Sequence, residues 1–176
     1  MEKKIIFITG GVRSGKSSFA LKETEKFNGK KAYIATAQAL DEEMEQRIEK
    51  HKITRGKEWA TFEEPIAIAE LIEKINNDYD VILLDCLTLW LSNAIHKNLE
   101  LESEVKKIID ALNELKHSTI YIVSNEVGMG IVPENKLARK FRDMAGILNQ
   151  KIAEISDEVY VLVAGIPLQI KGHNNA

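Results

Sequence analysis

The chain has 176 residues, 44% of them hydrophobic and 29% charged, with a formal net charge of −3. This length suits one domain with a buried sheet, and the slightly acidic balance offers no electrostatic reason to expect nucleic-acid binding. The single cysteine, Cys86, excludes an internal disulfide and is typical of a reducing compartment. No apolar run approaches the ~20 residues of a membrane-spanning helix, and no signal-peptide pattern is visible. We therefore expect a soluble cytoplasmic protein without a membrane span.

The first predicted strand, Ile5–Thr9, runs into a glycine-rich loop and then into a helix, Ser18–Phe27. The loop follows the pattern G-x-x-x-x-G-K-S, with the residues Gly10, Gly11, Val12, Arg13, Ser14, Gly15, Lys16 and Ser17. Between a strand and a helix this pattern is typical of a phosphate-binding loop (P-loop), because backbone N–H groups at the helix N-terminus turn toward the phosphates. Lys16 would contact the β- and γ-phosphates, and the Ser17 hydroxyl would bind Mg²⁺. A glycine-rich turn that matches by chance is the alternative.

The next elements are a short strand, Lys31–Ala35, and a helix from Glu42 to about Thr54, for which Asp41 is a suitable N-cap. Trp59–Glu64 is predicted to be extended or irregular. A further helix is expected from Ile66 to Asn76, with proline at its start. The chain therefore continues to alternate between strands and helices, as in α/β proteins.

Val81–Asp85 is an apolar run that ends in a carboxylate, as expected for a central parallel strand that is buried on both faces. A carboxylate at the carboxyl end of such a strand, downstream of a P-loop, is where the aspartate that holds Mg²⁺ belongs. The alternative is that Asp85 only caps the following helix.

Predicted helices at Leu87–His96 and Glu102–Lys116 precede a buried strand, Thr119–Ser124, and a long helix from Glu134 to about Ile155. The long helix has an apolar stripe that consists of Leu137, Phe141, Met144, Ile147, Leu148 and Ile152. Two final strands, Glu158–Ala164 and Ile166–Lys171, suggest a hairpin or a bend. We expect one α/β P-loop domain over residues 1–171, with a mostly parallel sheet and helices on both faces, and a flexible tail over 172–176.

Three basic or imidazole side chains lie on one face of the predicted helix 42–54 and its end. Arg47, His51 and Arg55 are spaced at i, i+4 and i+8, and Lys50 and Lys52 flank the histidine. Neighbouring positive charges favour a neutral imidazole, which can attack phosphorus while the cations hold phosphate oxygens. An ordinary solvated helix face explains the same spacing.

Several segments together resemble one family of enzymes over nearly the whole chain, from Ile5 to Lys171. The segments are the P-loop, Tyr33–Ala37, Asp41–Met44, Arg47–His51, Val123–Asn135 and Ala138–Gln150. The block Asn-Glu-Val-Gly-Met-Gly-Ile-Val-Pro is far more specific than the P-loop. The family is the bifunctional adenosylcobinamide kinase/adenosylcobinamide-phosphate guanylyltransferases of cobalamin biosynthesis.

The resemblance implies a RecA-like fold, a homotrimer and two reactions. Adenosylcobinamide would be phosphorylated by ATP or GTP, and GMP from GTP would then be transferred to adenosylcobinamide phosphate through a guanylyl-histidine at His51. The implied catalytic residues are His51 and Lys16, and Ser17 and Asp85 are the residues expected at Mg²⁺. The implied nucleotide contacts are Gly10, Gly11, Val12, Arg13, Ser14, Gly15, Lys16, Ser17, Ala35, Thr36, Ala37, Lys52, Ile53, Thr54, Arg55, Glu63 and Asp85.

Two other functions remain open at this point. One is a P-loop small-molecule kinase in which His51 contributes only charge, and the other is a P-loop module that drives assembly or partner binding. The role of Asn125–Pro133 is also open, because its glycines and proline fit either an active-site wall or a tight connection.

Overall fold

The computed structural model of the chain describes residues 3–39, 42, 46, 49, 56 and 58–172. The described strands are β1 (Lys4–Gly10), β2 (Lys31–Ala35), β3 (Trp59–Glu63), β4 (Val81–Asp85), β5 (Thr119–Val123), β6 (Glu158–Val163) and β7 (Ile166–Lys171). The described helices are α1 (Lys16–Thr24), α2 (Ile68–Ile75), α3 (Leu87–His96), α4 (Leu101–Asn113) and α5 (Lys136–Ile155). None of these helices is long and apolar enough to cross a membrane.

All seven strands form one sheet in the order β3-β2-β4-β5-β1-β6-β7. Every neighbouring pair is parallel except β6 and β7, which form an antiparallel hairpin. β5 lies between β1, which leads into the P-loop, and β4, which ends at Asp85. The carboxyl ends of the parallel strands share one edge, which is where α/β sheets of this kind bind ligands.

The strands β1, β2, β4 and β5 are buried on both faces because helices cover both sides of the sheet. Successive residues of β1 alternate between two cores: Ile5 and Phe7 face α2–α5, whereas Ile6 and Ile8 face α1. This explains why the central strands are continuous apolar runs rather than alternating polar and apolar ones. Trp90 of α3 is buried in the larger core, and its indole N–H donates to the Ile66 carbonyl at 2.8 Å.

Most of the predicted elements are confirmed. Lys31–Ala35, Val81–Asp85 and Leu87–His96 have the predicted bounds, and the final hairpin is present. Trp59–Glu63 is a regular edge strand, parallel to β2. The predicted helix 42–54 and the tail 172–176 lie outside the described residues, apart from residues 42, 46 and 49 and Gly172.

Two predictions about helices need correction. Helix α2 begins at Ile68 rather than Ile66, because the Glu64 carboxylate accepts the N–H groups of Ile66 and Ala67 in a turn that precedes it. In α5, Leu137 and Ile147 of the predicted apolar stripe are exposed. The buried face of α5 is formed by Ala145, Leu148, Asn149 and Ile152, and at 3.6 residues per turn Ile147 lies on the far side from it.

Candidate nucleotide site

The P-loop backbone requires glycine at two of its positions. Gly10 has φ 148°, and a Cβ at this position would lie 2.4 Å from the Leu162 carbonyl oxygen of β6. Gly15, the N-cap of α1, has φ 95° in the left-handed region. The turn 164–165 of the β6–β7 hairpin supports the loop, since the Gly165 N–H donates to the Ser14 carbonyl at 3.0 Å. Packing against β6 therefore holds the loop in shape at the N-terminus of α1.

The Lys16 side chain lies across the loop from which it arises. Its ammonium donates to the Gly11 carbonyl at 2.6 Å and lies 3.5 Å from the Ser14 hydroxyl, and the residue is buried. Burial lowers the pKa of Lys16, and the negative charge of Asp85 acts in the opposite direction. A buried ammonium at the phosphate-binding loop is well suited to neutralise phosphate charge.

Asp85 ends β4 and does not cap the following helix. The N-cap of α3 is Cys86, which makes no side-chain capping bond, and the Asp85 carboxylate accepts a hydrogen bond from the Tyr33 hydroxyl at 3.0 Å. The alternative interpretation, that Asp85 only caps the following helix, is thus wrong. The Tyr33 hydroxyl therefore orients the Asp85 carboxylate. The negative charge of this carboxylate acts on the P-loop lysine and raises the pKa of Lys16 against the effect of burial.

The donor set fits Mg²⁺. No cluster of three or more His, Cys, Asp or Glu side chains that could hold a metal occurs in the described part of the chain. Nucleotide-bound Mg²⁺ takes only one or two protein ligands and completes its shell with phosphates and water. One carboxylate, Asp85, and one hydroxyl, that of Ser17 in the first turn of α1, match this requirement.

The carboxyl ends of β2, β3 and β4 place three predicted contacts in one row. Ala35 pairs with Glu63 on one side and with Asp85 on the other. Because the strands are parallel and in register, residues that are far apart in sequence form a continuous shelf beside the P-loop. The structure therefore brings together Ala35, Thr36, Ala37, Glu63 and Asp85.

Thr36 and Asn93 hold this row together through buried hydrogen bonds. The Thr36 hydroxyl accepts from the Cys86 N–H at 2.8 Å and donates to the Cys86 carbonyl at 2.7 Å. The Asn93 amide of α3 donates to the carbonyls of Thr36, at 2.9 Å, and Pro65, at 3.2 Å. One helix side chain thus fixes the segments that follow β2 and β3 relative to Asp85.

Asn93 was not predicted as a site residue from the sequence. A signal was present: Asn93 is an asparagine in the mainly apolar helix Leu87–His96, which buries Trp90, Leu91 and Ala94. A polar side chain in such a helix must find partners, since burial without hydrogen bonds is costly. Only the tertiary structure shows which carbonyls it meets.

The segment after β5 is anchored to the same edge of the sheet. The Thr88 hydroxyl accepts from the backbone N–H of Asn125 at 3.1 Å and from its side-chain amide at 2.9 Å. The Asn149 amide of α5 donates to the Asn125 carbonyl at 3.2 Å, and the Glu126 N–H donates to the Gly10 carbonyl at 2.9 Å. The loop that begins here is therefore attached to the first residue of the P-loop.

Cys86 lies beside this site but is not suited to be a nucleophile. Burial, followed by the negative charge of Asp85, raises the pKa of the Cys86 thiol to about 11. The thiol is therefore neutral at physiological pH, and only the thiolate is reactive.

The remaining predicted site residues lie outside the described residues. These are His51, Lys52, Ile53, Thr54 and Arg55, together with the flanking Arg47 and Lys50. Their roles stay predictions.

Comparison with known families identifies the fold and the family. Residues 6–170 match the family model described as cobinamide kinase / cobinamide phosphate guanyltransferase. The chain belongs to this family. The predicted resemblance to the cobinamide kinase / cobinamide phosphate guanyltransferases is thereby confirmed.

Relatives from three bacteria align with the chain over almost their full length. The chain is 42% identical to the bifunctional adenosylcobalamin biosynthesis protein CobP of Pseudomonas aeruginosa, over 94% of this chain and 96% of that protein. It is 39% identical to CobU of Escherichia coli and 40% identical to CobU of Salmonella typhimurium, each over 95% of this chain and 99% of the relative.

Solved structures of P-loop ATPases share the fold at low identity. An ATPase of a bacterial type III secretion system superposes with a TM-score of 0.57 at 11% identity, over 91% of this chain and 51% of that one. A KaiC-like protein of Pyrococcus horikoshii does so with a TM-score of 0.53 at 13% identity, over 97% and 80%. The predicted RecA-like P-loop α/β domain is confirmed.

Replacing Asn93 by leucine should weaken nucleotide binding more than it weakens the fold. The variant keeps the side-chain volume but leaves two carbonyls unpaired, which costs about 1–3 kcal/mol of stability and releases the segments that follow β2 and β3. We expect GTP affinity, measured by titration calorimetry, to fall by about tenfold or more.

Asn76→Leu is the matched control. Asn76 is similarly buried and donates to the Glu73 carbonyl at 2.8 Å, near the opposite edge of the sheet. The Asn76→Leu variant should lose similar stability and keep its affinity for GTP. Equal losses of affinity in both variants would mean that Asn93 contributes only to the stability of the fold.

Proposed function

We propose that this enzyme performs two successive reactions on one corrinoid. It phosphorylates the aminopropanol hydroxyl of adenosylcobinamide with ATP or GTP, and it then transfers GMP from GTP to the new phosphate. The observation that carries the proposal is the shelf of Ala35, Glu63 and Asp85 beside the P-loop lysine. This shelf occurs in a chain about two-fifths identical to proteins named as bifunctional in adenosylcobalamin biosynthesis.

In the kinase step the P-loop positions the triphosphate. Backbone N–H groups at the start of α1 and the Lys16 ammonium hold the β- and γ-phosphates. Ser17 and Asp85 would hold Mg²⁺, which supplies positive charge to the phosphate oxygens. The substrate hydroxyl oxygen attacks the γ-phosphorus, the bond to the β-phosphate oxygen breaks, and the hydroxyl proton passes to solvent. ADP or GDP leaves.

In the second step His51 is the proposed nucleophile. Its imidazole, kept neutral by Arg47, Lys50, Lys52 and Arg55, attacks the α-phosphorus of GTP and pyrophosphate leaves. A phosphate oxygen of adenosylcobinamide phosphate then attacks the same phosphorus, and the P–N bond breaks. The products are adenosylcobinamide-GDP and free His51.

The segment that follows His51 completes the proposed nucleotide contacts. Lys52, Ile53, Thr54 and Arg55 would also bind GTP, and Glu63 would accept from guanine or from a ribose hydroxyl. Both steps consume nucleoside triphosphates, so we place the enzyme in the cytoplasm.

We further propose a homotrimer, with β7 at the contact between subunits. Apolar helix faces are one candidate for this contact, but Leu87, Trp90, Leu91 and Ala94 of α3 are buried within the subunit. By contrast, β7 is an edge strand. Val163 and Ile166 pair directly across the hairpin, and Leu168 follows on the same face, with all three exposed. An exposed apolar face on an edge strand favours contact with another copy.

Lys16→Ala should depress both reactions, because the same ammonium contacts the triphosphate in each of them. Loss of one such contact costs on the order of 10²-fold in kcat/KM. Rates are measured with adenosylcobinamide for the kinase step and with its phosphate for the transfer. Near-normal rates in both assays would mean that the P-loop pattern is fortuitous.

His51→Asn should abolish guanylyl transfer and spare part of the kinase activity. Wild-type protein incubated with GTP and Mg²⁺ should gain the mass of one GMP, in an acid-labile and base-stable linkage typical of a P–N bond. The variant should gain none, as read by intact-mass spectrometry. His96→Asn, at an exposed histidine that ends α3, is the matched control and should keep the adduct.

Arg47→Ala and Arg55→Ala should slow adduct formation without removing it, since they act on charge and geometry. An adduct that persists in His51→Asn would identify another nucleophile. Transfer by the wild type without any adduct would indicate direct in-line displacement, and a kinase without any transfer would leave only the small-molecule kinase function.

Leu168→Lys should weaken the trimer, because it places a charge on the apolar face of β7. We expect the association constant from analytical ultracentrifugation to fall by about tenfold or more. Leu137→Lys, at an equally exposed leucine of α5, should leave the trimer intact. A wild-type monomer at micromolar concentration contradicts the proposal.

A further inference from the structure

Exposed large aliphatic side chains in the described part of the chain fall in four segments. They occur in the P-loop itself, in the loop that follows β5, on α5 and in the β6–β7 hairpin: Val12, Val127, Met129, Ile131, Val132, Leu137, Ile147, Val163, Ile166, Leu168 and Ile170. Ile131 and Met129 are 97% and 86% exposed. Apolar surface of this extent marks a binding surface.

The loop that follows β5 is held in a defined shape. Its first residues are attached to Thr88 and to the P-loop carbonyl of Gly10. Its far end is held by Arg139, whose guanidinium donates to the Pro133 and Glu134 carbonyls at 2.9 and 2.6 Å, and Asn135 caps α5. The backbone is therefore fixed at both ends, and its apolar side chains are presented to solvent.

Between these two ends the loop and α5 enclose an open groove of about 510 Å³. Its lining combines aliphatic groups, bare backbone and a few polar side chains: Gly128, Gly130, Val132, Arg142, Asp143, Gly146, Ile147 and Gln150. A Cβ placed on Gly130 or Gly146 would meet no atom within 4 Å, so both glycines leave space in the groove. A glycine inside a helix lowers the stability of the fold relative to alanine. A ligand that occupies the open space beside Gly146 would account for a glycine at this position.

We propose that this groove binds the corrin ring of the acceptor, an inference that rests on the proposed function. Concave surfaces with aliphatic walls and a few placed polar groups are typical of small-molecule sites. A corrin has broad apolar faces and a rim of amide side chains. Val132 and Ile147 match the faces, and Arg142, Asp143 and Gln150 match the amides as donors and acceptors.

The size and place of the groove support this occupant over the alternatives. From Arg142 to Gln150 it extends roughly 12 Å along α5, which suits a macrocycle rather than a sugar or a phosphate. The nucleotide is not the expected occupant, because its proposed site is formed by the P-loop and the shelf of Ala35, Glu63 and Asp85. A second copy of the chain would favour the exposed apolar face of β7. The Glu126–Gly10 hydrogen bond makes one wall of the groove continuous with the P-loop, so the aminopropanol arm can extend toward the γ-phosphate.

Gly146→Leu tests the groove without disturbing the nucleotide site. Leucine enters open space and removes a helix-interior glycine, so the variant should fold. We expect the KM for adenosylcobinamide to rise about tenfold or more, whereas the KM for GTP and the rate of guanylyl-protein formation from GTP alone stay unchanged. Ile147→Asp, which places a charge on the aliphatic wall, should act in the same way.

Lys151→Leu is the matched control, since it adds the same side chain to an exposed position of α5 outside the groove lining. It should leave every constant unchanged. Unchanged KM for adenosylcobinamide in both groove variants overturns the proposal. Dissociation of the trimer by Gly146→Leu at unchanged KM also overturns it and assigns the groove to another copy.

Failure of the proposed function gives a different result. If the wild type forms no guanylyl-protein and phosphorylates no corrinoid, equilibrium dialysis with adenosylcobinamide still reports on the groove. If the wild type binds adenosylcobinamide and Gly146→Leu binds it about tenfold more weakly, the result supports the corrin site in the groove. Equal binding to both proteins overturns this proposal.

Discussion

The site depends on one buried hydroxyl, that of Thr36. It bonds both the N–H and the carbonyl of Cys86 and so joins the end of β2 to the end of β4. Asn93 extends the connection from α3 to the Thr36 and Pro65 carbonyls. Because unpaired polar groups in a core are costly, these hydrogen bonds fix the carboxyl end of β2 relative to the carboxyl end of β4. The register that aligns Ala35, Glu63 and Asp85 is thereby maintained.

The two groups that we propose to act on phosphate, Lys16 and Asp85, follow strands that are not neighbours. β5 separates β1, which carries the P-loop, from β4, which carries Asp85. The end of β5 is fastened to both sides, through Asn125 to Thr88 and through Glu126 to Gly10. The intervening strand therefore sets the distance between Lys16 and Asp85, and it also starts the loop that leads away to the acceptor groove.

The exposed surface offers two different kinds of binding place. The groove between α5 and the loop after β5 is concave and partly polar, whereas the exposed apolar face of β7 lies on an edge strand of the sheet. Concave surfaces favour small ligands, and exposed apolar faces favour contact with other protein chains. The surfaces proposed for the nucleotide, the acceptor and a second subunit therefore belong to different segments of the chain.

The sequence by itself determined the strands, most of the helices and the P-loop, because apolar runs, helical periodicity and glycine spacing are local properties. Asp85 was also predictable, since it directly follows such a run. Asn93, Thr88 and Asn149 were not, because their roles depend on carbonyls and hydroxyls that only packing brings near. The exposure of Leu137 and Ile147 was missed for the same reason. Periodicity shows that a helix has an apolar face, but packing against the sheet decides which of its apolar residues are buried. Tertiary structure alone decided the strand order that places β5 between the two phosphate-handling strands.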